Sequence, residues 1–180
     1  MVAATSAQEL QEQGVKLFGQ KEYEAAARTF SQAMQQYEAD GNKPLAAEMQ
    51  VNLGLVHRAL GEHQQALDVM QEALHTFQSS DDKLHTAMTL GNIGGVYSAL
   101  GDKEQAYNCY RNAADLFDEL GEKKLHGETM VAMASMQVRD GKLSVGAATY
   151  EVGLSEIDDL TAGQKVLKGL IGVRKKFLGG

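Results

Sequence analysis

The chain has one proline (Pro44), one cysteine (Cys109) and no tryptophan in 180 residues. Proline interrupts helices, so its near absence leaves room for long ones. Alanine, glutamine, glutamate and leucine dominate long stretches, and these are strong helix formers. Together they predict an all-α chain. A lone cysteine excludes an internal disulfide and a cysteine-based metal cluster. No apolar run approaches the ~18 residues that a membrane span requires. The N-terminus, MVAATSAQELQEQG, has no basic segment followed by an apolar run, so it does not read as a secretory signal. A reduced, cytoplasmic setting is the expectation.

Catalytic signatures are equally scarce. His57, His63, His75, His85 and His126 form no i,i+4 pair and no HExxH. GNIGG (91–95) lacks the following Lys-Ser/Thr of a phosphate loop. His57 takes the place of a repeated aromatic and is expected in the core. Cys109 is expected to face away from the packed stripe of its helix. No enzyme activity, cofactor or metal site is predicted.

Acids outnumber bases 24 to 17, for a formal charge of −7. A general nucleic-acid binder needs a basic face to displace counterions from phosphates, so none is expected. The distribution is uneven. Residues 161–180 hold Lys165, Lys168, Arg174, Lys175 and Lys176 and no acid, which leaves residues 1–160 with 12 bases against 24 acids. Such asymmetry marks an interaction element.

What the chain does have is a period of 40. Gly14, Gly54, Gly94 and Ala134 are each 40 apart, as are Ala26, Ala66, Ala106 and Gly146. Phe30, Met70, Tyr110 and Tyr150 form a third series, and Ala33, Ala73, Ala113 and Gly153 a fourth. Gly41, Asp81 and Gly121 keep step between them. Each unit reads as two amphipathic helices. In the third, Asp81 or Asp82 is the expected N-cap and Gly101 the stop, with Gly121 closing the second helix. Pro44 sits where a helix begins. Small residues let helices approach, and the aromatics fill the space beside them.

This grammar resembles the tetratricopeptide repeat, whose pattern runs L-G-x-x-Y and then A-x-x-x-F-x-x-A. Units at about 6–40, 43–80, 83–120 and 123–158 carry it, most clearly the second and third. The usual early tryptophan and closing proline are missing. The 40-residue length is similar to the repeats of kinesin light chains and of G-protein-regulating polarity adaptors. The resemblance implies a right-handed α-solenoid of four helix-turn-helix repeats within residues 1–160. It also implies a concave face that grips a peptide or helix of a protein partner.

By repeat register, the first helices would line that groove. They supply Glu48, Asn52, Leu55 and Arg58, then Met88, Asn92, Gly95 and Ser98, then Glu128, Val131, Ser135 and Arg139. Asn52 and Asn92 are equivalent, and an amide can both donate to and accept from a peptide backbone. One subset of the family clamps a C-terminal carboxylate with basic residues. The matching positions here are Gln11, Val15, Asn52, Met88 and Asn92, so that clamp is not expected. Met130, Met133 and Met136 lie at helical spacing and are expected in the core.

The second helix of the fourth unit carries Gly146 and Gly153 and is expected to fray first unless something covers it. Residues 165–178 form a basic amphipathic helix, with the apolar residues in one arc of about 160° into which Arg174 alone intrudes. It is expected to cap the array. The alternative is a membrane-associated or self-assembling structural protein that uses this helix as its anchor, so peripheral membrane contact and homo-oligomers stay open.

Overall fold

The computed structural model describes the backbone of residues 5–178 and the side chains of residues 5–172. Its helices are α1 (Ala7–Gly19), α2 (Tyr23–Ala39), α3 (Lys43–Leu60), α4 (His63–Ser79) and α5 (Lys83–Leu100), followed by α6 (Lys103–Leu120), α7 (Lys123–Arg139), α8 (Leu143–Ser155) and α9 (Ala162–Leu178). Each packs on its neighbours in sequence. In addition α3 touches α5 and α5 touches α7, so alternate helices align on one side of the stack. The fold is a solenoid of helix pairs.

Turn chemistry sets this regularity. Lys21, Gly41, Gly61, Asp81, Gly101, Gly121 and Gly141 all have positive φ, and they stand 20 residues apart. A left-handed residue after each of α1 to α7 reverses the chain within a few residues. Glycine takes that conformation without strain, whereas Lys21 and Asp81 adopt it with a side chain. The next helices then start on built caps. Asn42, Asp82 and Asp102 accept from the backbone N–H three residues on, and Ser6 and Glu9 form a reciprocal capping box. Pro44 occupies the first turn of α3.

The small-against-large pairing is steric. A methyl added at Gly14 would stand 2.6 Å from the Phe30 ring, one at Gly54 2.5 Å from Met70, and one at Gly94 3.1 Å from Tyr110. Phe30, Met70 and Tyr110 are buried, so the glycine is the only member of each pair that can be small. In the fourth pair the glycines serve close packing. A Cβ on Gly127 would meet the Gly153 carbonyl oxygen at 2.6 Å, and the reverse distance is the same. Gly146 lies against Val138 and the Ala134 carbonyl. Glycines that weaken α8 in isolation let it approach α7 backbone to backbone.

Two expectations are corrected. Cys109 is buried among Ala66, Leu67, Met70, Ile93 and Val96, where α4, α5 and α6 meet. Burial pushes its thiol pKa up, with a smaller contribution from Asp102. Because the thiolate is the nucleophile, alkylation by iodoacetamide at neutral pH is expected to run at least about tenfold slower than in denaturant. Equal rates would show the thiol to be exposed. His57 is not a core histidine: its ring is partly exposed, with Nδ1 2.7 Å from Glu62 Oε2. Met136 is buried and Met133 packs beside it, while Met130 is half-buried near Gly153.

Helix α9 packs chiefly on α8. Thr161 and Gln164 cap it reciprocally, and the Lys168 ammonium donates to the Leu154 carbonyl at 3.1 Å, near the end of α8. Its apolar arc is divided. Leu167 and Ile171 are half-buried, whereas Val166 and Leu170 are 64% and 63% exposed. Lys165 is exposed, and the side chains of Arg174, Lys175 and Lys176 lie outside the described residues. Among the described residues no helix is long and apolar enough to cross a membrane.

Candidate partner-binding groove

The aligned first helices α3, α5 and α7 form one face of the stack, and a recess of about 290 Å³ opens on it. Arg58 enters from α3, Met88, Gly91, Asn92 and Gly95 come from α5, and Leu125, Glu128, Thr129 and Ala132 come from α7. Tyr110 and Phe117 of α6 complete the lining. Arg58, Met88, Asn92, Gly95 and Glu128, chosen from the repeat register, therefore meet at one place. Met88 is 43% exposed, an apolar side chain offered to solvent at the rim.

The other register positions go elsewhere. Leu55 is half-buried against the apolar cluster that contains Met70 and Ile93, between repeats. Val131 packs toward Gly153 of α8. The Ser135 hydroxyl shares a hydrogen bond with the Tyr150 hydroxyl and donates to the Val131 carbonyl, so it too is engaged on the α8 side. Glu48 reaches across to His85 Nε2 at 3.6 Å, while Asp82 holds the other ring nitrogen at 2.8 Å. The same imidazole stacks on Phe77, which ties α3 to α5 above a buried ring. Desolvation raises the Asp82 pKa, but its hydrogen bonds to His85 outweigh that and leave it lowered.

Two amides are unengaged. Among the described residues, neither the Asn52 nor the Asn92 side chain has a hydrogen-bond partner, and both are half-buried. Each stands on a first helix, one repeat from the other.

The positive charge of this face converges on α5. A methyl on Gly95 would lie 2.7 Å from Arg58 Nη1, so the absent side chain is what lets the guanidinium rest there. From the opposite side, Arg139 Nη2 of α7 donates to Ser98 Oγ at 2.8 Å. Among the described residues neither guanidinium has a carboxylate within 4.0 Å. Below them is Tyr110, whose phenol burial pushes up in pKa and the two arginines pull down.

Sequence reasoning missed Tyr110, Phe117, Gly91, Leu125, Thr129 and Ala132 as lining. Tyr110 had been given a packing role, and it has one, but its hydroxyl reaches the recess. The α7 residues were missed because α7 presents its lining one turn earlier than α5 does. Repeat register carries Met88, Gly91 and Asn92 onto Glu128, Val131 and Ala132, whereas the lining begins at Leu125. Such an offset between neighbouring first helices leaves no mark in the period.

Stacked helix pairs with an open first-helix face define a helical-repeat scaffold of the tetratricopeptide type, a class that works through protein partners. The chain belongs to the soluble NSF attachment protein (SNAP) family, whose sequence model matches residues 3–168. The same fold occurs in the apo form of RapI (TM-score 0.77, 16% identity), where 93% of this chain matches 48% of that one. It occurs in BtubC (BKLC) from P. vanneervenii (TM-score 0.67, 17% identity), covering 92% of this chain and 64% of that chain. It occurs again in a tetratricopeptide repeat protein from Parabacteroides merdae (TM-score 0.59, 22% identity, 96% and 61% covered). At these identities the likeness is one of fold, and this chain spans between about half and two thirds of each structure's length. Comparison with curated protein sequences found no match.

Proposed function

We propose that this protein is a non-enzymatic adaptor that holds a segment of a partner protein along the face built by α3, α5 and α7. Residues 1–160 act as the array and residues 161–180 as the helix that closes its end. The observation that carries the reading is the pair of unengaged amides, Asn52 and Asn92, at equivalent places on adjacent first helices. A half-buried amide without a partner forgoes hydrogen bonds that a passing peptide backbone can supply. The recess at Met88 adds apolar contact. Attachment to another protein is also what the family's name describes.

The test is the double variant Asn52→Ala/Asn92→Ala. Each lost hydrogen bond is worth about 1 kcal/mol, so binding of a partner segment is expected to weaken by about tenfold or more, with little change in thermal midpoint. Unchanged affinity for that segment would remove the basis of the proposal.

A further inference from the structure

The arrangement around α5 has a chemistry more specific than peptide gripping. Arg58 and Arg139 come from helices on opposite sides of α5 and rest at Gly95 and Ser98. Positions three apart on a helix are neighbours, with Cβ atoms about 5–6 Å apart. Two like charges so placed repel, and among the described residues no carboxylate lies within 4.0 Å of either one. The rest of the body is acidic, so this is a local reversal of sign. Tyr110 supplies a second, independent observation. It is 8% exposed, its ring is locked against Gly94, and its hydroxyl faces the recess without a hydrogen-bond partner among the described residues.

We propose that this place is a subsite for a phosphorylated side chain, phosphoserine or phosphothreonine, carried by the segment held in the groove; it rests on the groove reading above. The donors at hand are two guanidiniums, the phenol of Tyr110 and the amide of Asn92. A planar carboxylate with two oxygens and one charge is satisfied by a single guanidinium fork. A phosphoryl group has three acceptor oxygens and a charge near −2, and so matches donors that arrive from several helices. The free amide and phenol give it direction. Glu128, which lines the recess from α7, disfavours an anion spread over the whole face. These are not the positions of the carboxylate clamp considered above, which hold no basic residue.

The test uses capped phosphoserine, N-acetyl-O-phosphoserine amide, titrated into the isotopically labelled full chain. Capped serine, capped glutamate and inorganic phosphate serve as the other arms. The expected result is saturable movement of the Gly95 and Ser98 amide signals and of the Arg58 and Arg139 side-chain N–H signals. Phosphoserine should bind about fivefold or more tightly than capped glutamate. Arg58→Gln and Arg139→Gln should each weaken it by about tenfold, and Tyr110→Phe by about threefold. Arg111→Gln, on the outer face of α6, should leave it unchanged. Arg58→Lys keeps the charge without the fork and should recover part of the loss, which a purely structural effect of Arg58 would not show.

Glutamate binding as well as phosphoserine would overturn the proposal, as would binding indifferent to both arginines or shifts confined to other helices. Inorganic phosphate alone moving the signals, with no added effect of the capped residue, would also overturn it by marking a general anion site. The probe has almost no backbone to grip, so its failure leaves partner binding through Asn52 and Asn92 standing. Conversely, an effect of the probe with no effect of the amide variants would strike the groove reading alone.

Discussion

Gly153→Ala is expected to destabilise the protein by about 2 kcal/mol, although alanine is the better helix former by about 1 kcal/mol. The opposing carbonyl of Gly127 would stand 2.6 Å from the new methyl, with Met130 and Val131 at 3.0 and 3.1 Å. A backbone oxygen cannot turn aside as a side chain can, so α7 and α8 must separate. For a chain of this size the thermal midpoint should fall by about 4–8 °C. Gly169→Ala is the control: nothing lies within 4 Å of a Cβ there. It should raise stability by about 0.5–1 kcal/mol through helix propensity alone. If both substitutions stabilise, the close approach of α7 to α8 is wrong.

Phe77→Ala should cost more, about 3–5 kcal/mol. Phe77 is 1% exposed and packs with Ala47, Ala73 and Val51. Its ring also stacks on His85 at 5.0 Å between centroids. It thus wedges the second helix pair against the third, through the imidazole that Glu48 and Asp82 hold. In an array stabilised by nearest-neighbour interfaces, removing a wedge uncouples the units on either side. The midpoint is expected to drop by about 6–20 °C. Amide protons of α4 and α5 should lose protection from exchange well before those of α1 and α2. A uniform loss across all helices would contradict a modular array.

Much of this fold was legible because it is repetitive. Gly14, Gly54 and Gly94 recur at a fixed distance from Phe30, Met70 and Tyr110, and the pairs do touch. A finer regularity passed unnoticed: the left-handed turn residues recur every 20 positions, not 40, because Lys21 and Asp81 stand in a series that is otherwise glycine. Positive φ at a lysine has no sequence signal. The contact made by Gly153 was hidden for the opposite reason. Propensity is local and speaks against it, whereas its use is a contact with Gly127, 26 residues earlier. Cys109 and His57 were misplaced as well: the thiol lies where three helices meet, and the imidazole turns out to Glu62.

The groove was legible in part. Register brought Arg58, Met88, Asn92 and Glu128 to the recess, since equivalent helices present equivalent faces. It could not show that Val131 and Ser135 turn toward α8, because that depends on how α7 packs on α8, where Gly127 meets Gly153. Nor could it show two arginines from different repeats converging on a third. The family itself was not legible from small-residue spacing, which helical-repeat families share.

The most direct test of the central claim is position-specific photo-cross-linking in the native cell. Benzoylphenylalanine is placed in turn at Met88, on the rim of the recess, and at Asn112, on the exposed face of α6. Sites on the partner are then mapped by mass spectrometry. A single extended segment of one protein captured from position 88 and not from 112, and lost in Asn52→Ala/Asn92→Ala, is the result expected. Capture from 112 with none from 88 would contradict a partner held on the face of α3, α5 and α7.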